Sequence, residues 1–343
     1  MTTNPSIFFS YQKLMSYLQK IKIVCGERGN GKSYGAKKIC LMRGRKTKKL
    51  CFVWVRREVT EVEELKSQFL DDIKHDPEFE NDLFEVRGWK IYYLEPTGEP
   101  DEYKRYLIGK FIALSTSQNL KSSIYHNVSL IIYDEYISLK TYLKNELTLW
   151  KDLLESVLRM RENWQIFMIS NAMTTQSPYY DFYDIKFDGA KEFTTSEFAV
   201  LQYCDSKAYR EAKKNTTLGK LFAKDEYGKH SIENEFLLDD TSNIKVYKGY
   251  KQYGTTLILE GIKMGVWICG NGIIYIDGQV QQGNAYSIYS EDVKNNEDCY
   301  LMTKQSRTFQ FLKKKFYDNT IYYNNLKIKN ACTLMFRKYL QNY

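Results

Sequence analysis

Four short, mostly apolar runs mark the first half of the chain: Ile21 to Cys25, Leu50 to Val55, Val128 to Tyr133 and Gln165 to Ser170. Runs of this length without polar alternation predict strands buried on both faces, the pattern of a parallel sheet. Helical segments fall between them. One opens at Lys32 and ends near Arg43, one spans Glu61 to Ile73, and one covers residues 146 to 160. The last carries Leu147, Trp150, Leu153, Leu154, Val157 and Leu158, which is an amphipathic 3.6-residue period. Lys90 to Leu94 and Tyr106 to Leu114 predict a strand pair that looks like an insertion outside the core, and residues 74 to 88 read as turn-like. After Asn171 the texture changes. Glu197 to Tyr203 predicts a strand and Ser206 to Lys213 a short helix. Residues 214 to 242 are polar and mixed in charge, as a linker would be. Hairpin-like runs follow at Thr256 to Ile262, Gly265 to Cys269 and Gly272 to Asp277, then helices near 300 to 316 and 328 to 340. The expected organisation is an α/β domain over 1–213, a linker region over 214–242 and a smaller α+β domain over 243–343.

Composition narrows the class. A chain of 343 residues with 43% hydrophobic content can build about two cored domains. Its net charge of +8 suits a polyanionic partner. The seven cysteines are odd in number and form no C-x-x-C pair, which points to a reducing compartment without disulfides or zinc. No apolar run approaches the roughly 18 residues of a membrane helix, and Met1 to Tyr17 lacks a signal-peptide layout, so a cytosolic protein that does not meet a membrane is expected.

The first run leads into Gly26-Glu27-Arg28-Gly29-Asn30-Gly31-Lys32-Ser33 and then a helix. This is the strand, glycine loop and helix of a phosphate-binding P-loop. Gly26 and Gly31 supply backbone freedom, and amides from Gly29 and Asn30 to Ser33 can turn toward phosphate oxygens at the positive end of the helix. Lys32 reaches the β- and γ-phosphates of ATP, and the Ser33 hydroxyl completes a Mg²⁺ shell. The basic residues that follow, Lys37, Lys38, Arg43, Arg45, Lys46, Lys48 and Lys49, form either a solvated face or an anion-tracking patch.

Val128 to Tyr133 ends in Asp134-Glu135. On a strand beside the P-loop, Asp134 can hold Mg²⁺ and Glu135 can polarise an attacking water, which favours an ATPase over a kinase. No [NT]-K-x-D tetrad supports a GTPase. Asn171, after the next apolar run, either senses the γ-phosphate or caps a turn. Arg159 and Arg161 either act as arginine fingers or complement the end of their helix, and Lys121 carries the same ambiguity. Asp239, Asp240, Asp277 and Asp292 are the acids of the second domain, with only Asp277 well placed on a strand. A two-metal nuclease needs several carboxylates converging on ions about 4 Å apart, so that domain reads as non-catalytic.

Together, G-E-R-G-N-G-K-S, I-I-Y-D-E, V-L-R-M-R-E-N, F-M-I-S-N-A, G-V-W-I-C-G-N-G-I-I-Y-I-D and M-F-R-K resemble the DNA-packaging (encapsidation) ATPases of small podoviruses. The resemblance implies an ASCE-type P-loop ATPase domain followed by an RNase H-like domain that has lost its nuclease carboxylates. It implies a homo-oligomeric ring, a pentamer, that docks on the portal (connector) of a prohead in the host cytoplasm, in some members through a structural RNA. Such a ring uses ATP hydrolysis to push double-stranded DNA inside. By motif position it makes Arg159 the trans-acting finger, with Arg161 beside it and Lys121 reaching a neighbouring site. Arg56-Arg57 is followed by Glu58-Val59, where relatives keep a further basic residue. A cellular translocase or helicase-like ATPase, a non-motor ATP-binding scaffold and a DNA-cutting terminase are the alternatives.

Overall fold

The computed structural model describes residues 8–99, 101–120, 125–137, 142–172, 174–222, 239, 242–259, 262–281, 285–287, 299–303 and 305–340. The chain divides into two compact units, Met1–Leu237 and Leu238–Tyr343.

The first unit is built on a nine-stranded sheet. In chain order its elements are α1 (Gln12–Met15), β1 (Ile21–Gly26), α2 (Lys32–Thr47), β2 (Phe52–Arg56), α3 (Val59–Gln68), β3 (Leu83–Arg87), β4 (Lys90–Pro96) and β5 (Tyr103–Ala113). Then come β6 (Leu130–Asp134), α4 (Glu146–Leu158), β7 (Gln165–Asn171), α5 (Pro178–Phe182), β8 (Phe193–Thr195), β9 (Ala199–Cys204), α6 (Lys207–Lys214) and α7 (Thr217–Phe222). The strand order is β3-β4-β5-β2-β6-β7-β1-β9-β8, parallel from β5 to β9 and antiparallel at both edges.

Both faces of the parallel core are covered, which is why its strands lack polar alternation. Ile131 and Tyr133 of β6 point to the side packed by Trp150, Leu153 and Val157 of α4. Leu130 and Ile132 point to the side packed by Ala36, Cys40 and Leu41 of α2 and Val62 of α3. Lys22, fully buried inside β1, is tolerated because its Nζ donates to the carbonyls of Tyr17 and Gln19 at 2.8 and 2.9 Å.

Three expectations need correcting here. The strand pair is not an insertion: β5 lies in register with β2 as a parallel core strand, and only β3 and β4 extend the edge. β3 itself falls in the stretch read as turn-like; it is a sheet-edge strand with no buried residue, so it lacks an apolar signature. The basic residues in and just after α2 do not act as one face: Lys46 and Lys49 are exposed, whereas four others are paired with acids. Lys37 pairs with Asp72, Lys38 with Asp76, Arg45 with Glu78 and Asp82, and Lys48 with Glu95.

The second unit holds β10 (Lys251–Leu259), β11 (Ile262–Cys269), β12 (Ile274–Asp277), β13 (Ala285–Ser287), β14 (Cys299–Leu301), α8 (Arg307–Tyr317), β15 (Ile321–Tyr323) and α9 (Leu326–Leu340). β10, β11 and β12 form an antiparallel meander. β13 lies parallel to β10 and β14 parallel to β13, while β15 adds to β12 at the other edge. A meander whose first strand is flanked by two parallel strands is the RNase H-like order. Phe309 and Leu312 of α8 and Ile328, Cys332 and Phe336 of α9 pack with Leu257, Val266 and Ile276 of the sheet. The segment expected to be one helix from about 300 begins as β14; α8 starts only after Ser306, whose Oγ accepts from the Phe309 amide at 3.2 Å.

Candidate functional site

β1 ends at Gly26, with φ 148°. A Cβ there would lie 2.2 Å from the Cys204 carbonyl oxygen, so only glycine fits between β1 and β9. Gly29 and Gly31 follow at φ 81° and 92°. Gly31 is the N-cap of α2 and brings no side chain to cap it, which leaves the helix N-terminus to an anion. The loop is braced from inside. Glu27 is buried and accepts from the Ser206 amide at 2.8 Å, at the start of α6. Tyr209 of α6 donates to the Arg28 carbonyl at 3.0 Å, and Tyr11 donates to the Lys32 carbonyl at 3.0 Å.

Lys32 is buried beneath this loop. Its Nζ donates to the Gly26 carbonyl at 3.2 Å, to the Glu27 carbonyl, and to Asn30 Oδ1 at 3.3 Å. Burial lowers its pKa, against the partial compensation of nearby acidic groups. Ser33 Oγ donates to Asp134 Oδ1 at 3.1 Å, so the start of α2 and the tip of β6 meet directly. The strand next to the P-loop is not β6, however. β7 runs between β1 and β6, paired in parallel with both. That intervening strand puts Asn171 at the sheet's upper edge, in register with Gly26, while the Ala172 amide donates to the Gly26 carbonyl at 3.0 Å.

Glu135 leaves β6 in a left-handed conformation, φ 60°, held by a 2.7 Å hydrogen bond from its amide to the Ile169 carbonyl. This backbone is uncommon for a residue with a Cβ and is maintained by its surroundings. Two arginines from the end of β2 do so. Arg56 Nη1 lies 2.7 Å from Glu135 Oε2, and Arg56 Nη2 lies 2.8 Å from Asp134 Oδ2. Arg57 donates to the Glu135 and Tyr136 carbonyls at 3.2 and 2.7 Å.

Asp134 Oδ2 is buried and its close partner is the Arg56 guanidinium. A carboxylate at the tip of β6 bonded to a serine hydroxyl at the start of α2 fits a divalent cation held by Ser33 and Asp134.

The remaining candidates separate. Arg159 ends α4 at φ 52° and is exposed, beside a cavity of about 330 Å³ that Tyr125, His126, Val157, Met160 and Arg161 also line. Arg161 is committed elsewhere. Its guanidinium donates to the carbonyls of Val157, Leu158 at 3.0 Å, His126 at 2.8 Å and Val128 at 2.5 Å. It thereby caps the C-terminus of α4. Lys121, Asp240 and Asp292 lie outside the described residues. Asp277 is buried and accepts from Trp267 Nε1, Lys251 Nζ and the Gln279 amide at 2.7, 2.8 and 2.9 Å. Glu27, Arg56, Arg57, Glu146 and Tyr209 were not anticipated as site residues. The Arg-Arg pair at a strand end was the one visible signal among them.

A P-loop facing an acid pair across an intervening strand, within a sheet parallel at its centre, defines an ASCE-type P-loop ATPase fold. A family model described as podovirus DNA encapsidation protein (Gp16) matches residues 3–340, and the chain belongs to that family. It is 30% identical over 341 residues to the DNA packaging protein of Bacillus phage phi29, covering 97% of this chain and 98% of that one. Among solved structures it is similar to the phi29 viral genome packaging motor assembly, with 30% identity, a TM-score of 0.67 and coverage of 97% and 99%. It also matches the crystal structure of the N-terminal domain of the phi29 DNA packaging ATPase, with 31% identity and a TM-score of 0.52 over 60% of this chain and all of that one.

Proposed function

We propose that this chain is the ATP-hydrolysing subunit of a ring motor, a homopentamer, that drives double-stranded viral DNA into a prohead in the infected host cell. The observation that carries this reading is the 3.1 Å contact between Ser33 and Asp134, which sets a P-loop against an acid pair in a member of the encapsidation family.

In this reading the amides of Gly29 to Ser33 and the start of α2 bind the triphosphate of ATP. Lys32 leaves the loop carbonyls to meet the β- and γ-phosphates. Mg²⁺ bound at Ser33 and Asp134 would neutralise phosphate charge. Glu135 orients the attacking water and takes its proton. Asn171, at the mouth of the site, couples the state of the γ-phosphate to movement. Arg159 enters the active site of the next subunit, and Arg161 fixes the helix end that presents it; Lys121 is a second basic residue for that contact. The portal, and in some relatives a structural RNA, supplies the docking surface. DNA is held through its phosphates by basic side chains and amides, without base readout. The RNase H-like unit has no carboxylate on β10 or β13 and acts as a non-catalytic module.

The test is DNA-stimulated ATP hydrolysis by the full chain docked on portal-bearing proheads. Lys32→Ala abolishes nucleotide binding, and Glu135→Gln binds ATP but turns it over at least about a hundredfold more slowly. Unchanged turnover in both variants would remove the assignment.

A further inference from the structure

Three polar side chains meet beneath the P-loop. Glu27, Asn30 and Lys32 are 3%, 3% and 5% exposed. Glu27 Oε1 accepts from the Ser206 amide at 2.8 Å, and Arg210 Nη1 lies 3.8 Å from the same oxygen. The other oxygen, Oε2, accepts from Asn30 Nδ2 at 3.4 Å. Asn30 Oδ1 in turn accepts from Lys32 Nζ at 3.3 Å.

Asn30 thus stands between a group that only accepts and a group that only donates. A carboxylate on one side and an ammonium on the other allow its amide one orientation, with the oxygen toward Lys32. The carboxylate is itself fixed, because the Ser206 amide is backbone at the N-cap of α6. Lys32 also donates to the Gly26 and Glu27 carbonyls. Those two acceptors are backbone groups, whereas the Asn30 oxygen depends on the side chains of this sequence.

We infer that Glu27 is a positioning residue for the P-loop lysine: by fixing the Asn30 amide it holds the Lys32 ammonium beneath the loop in the nucleotide-free chain, and so raises the ATP concentration needed to draw that lysine to phosphate. The inference rests on the nucleotide-site reading above. Glu27→Gln reverses the arrangement. Its single oxygen stays with the Ser206 amide and Arg210, so its NH₂ faces Asn30. Asn30 must rotate to offer its oxygen to that donor, and its own NH₂ then meets the Lys32 ammonium, donor against donor.

The experiment compares wild type, Glu27→Gln, Asn30→Ala and the double variant as nucleotide-free full chains. Acetylation of Lys32 by acetic anhydride is followed by mass spectrometry, and a fluorescent non-hydrolysable ATP analogue is titrated separately. Each single variant labels Lys32 about fivefold faster and binds the analogue about fivefold more tightly, the scale of one hydrogen bond. The double variant gains no more than Asn30→Ala alone, because Glu27 acts through Asn30. Asn30→Ala keeps the contact between Glu27 and Ser206 and guards against a folding defect in the glutamine variant. Labelling in Glu27→Gln that is equal to or slower than wild type overturns the proposal, as do gains that add in the double variant. A gain in Glu27→Gln that Asn30→Ala does not share also overturns it, since the acid would then act by charge alone. If the wild type binds no analogue, the nucleotide-site reading fails, and the labelling comparison still decides whether Glu27 holds Lys32.

Discussion

Arg57 and Glu146 form a bidentate ion pair closed off from water. Nε lies 2.8 Å from Oε2 and Nη2 lies 3.1 Å from Oε1, with side chains 5% and 4% exposed. Glu146 also accepts from the Tyr133 and Tyr179 hydroxyls at 2.9 and 2.7 Å and from the Leu143 amide at 2.7 Å. Since Arg57 also holds the Glu135 and Tyr136 carbonyls, the pair joins the first turn of α4 to the turn that carries Glu135.

Removing one partner strands the other's charge. Arg57→Ala is expected to lose roughly 3–5 kcal/mol of stability in denaturant unfolding. The double variant Arg57→Met, Glu146→Leu recovers part of that loss, because neither charge remains buried. It does not recover turnover, since the Glu135 and Tyr136 carbonyls have then lost the guanidinium that holds them. A double variant as unstable as the single one would show that the stranded charge is not the cause.

The two arginines after α4 should separate by assay. Arg161→Ala removes charge-assisted hydrogen bonds to four carbonyls and should destabilise the protein by about 2 kcal/mol. Arg159→Ala should leave the melting temperature nearly unchanged yet reduce hydrolysis in the assembled ring. Mixed rings of Arg159→Ala and Glu135→Gln subunits should regain some activity, because some intact fingers then face intact glutamates. The absence of rescue at every mixing ratio would count against a trans role.

Much of this was legible beforehand, for physical reasons. A parallel strand covered on both faces must be apolar throughout, so β1, β2, β6 and β7 announced themselves within a residue or two. The P-loop was visible because phosphate binding constrains the backbone itself and leaves glycines at fixed spacing. β3 was hidden because an exposed edge strand needs no apolar pattern. The position of β7 between β1 and β6 was hidden because strand order is set by crossovers, and chain order does not record them. Arg161 was ambiguous because a capping arginine and a finger share one sequence signature, and the four carbonyls its guanidinium reaches are not marked in the sequence. The basic run of α2 misled because its acidic partners come from positions more than thirty residues away, such as Asp72 for Lys37.

Glu27 gives a pH-dependent prediction. Burial raises its pKa above the ordinary 4.5, outweighing the lowering effects of the Ser206 amide, Asn30, Arg210 and Lys32. The folded chain therefore holds this proton more tightly than the unfolded chain. The associated stability is fully present below the unfolded pKa and is lost as pH rises through the raised one. Glu27→Gln keeps an acceptor for the Ser206 amide and carries no charge. In thermal melts without nucleotide it should exceed the wild type at about pH 8, with the gap closing near about pH 4. A gap that stays constant with pH would mean that ionisation of Glu27 costs the fold nothing.

Asp277, the best-placed acid of the second unit, is expected to be structural. Oδ1 accepts from the Trp267 indole and the Gln279 amide, and Oδ2 faces the Lys251 ammonium. Lys251 in turn lies 4.2 Å from the centre of the Trp267 ring, so the carboxylate organises a local cluster. A metal at Asp277 would have to displace Lys251 and compete with two hydrogen bonds. Asp277→Ala should therefore cost about 2 kcal/mol by leaving the indole N–H and the ammonium without their acceptor. Asp277→Asn, which retains an oxygen for the indole, should cost less. Plasmid nicking in Mn²⁺ should be equal in wild type and Asp277→Asn. A nicking activity that vanishes in the asparagine variant would make Asp277 a metal ligand and the second unit a nuclease.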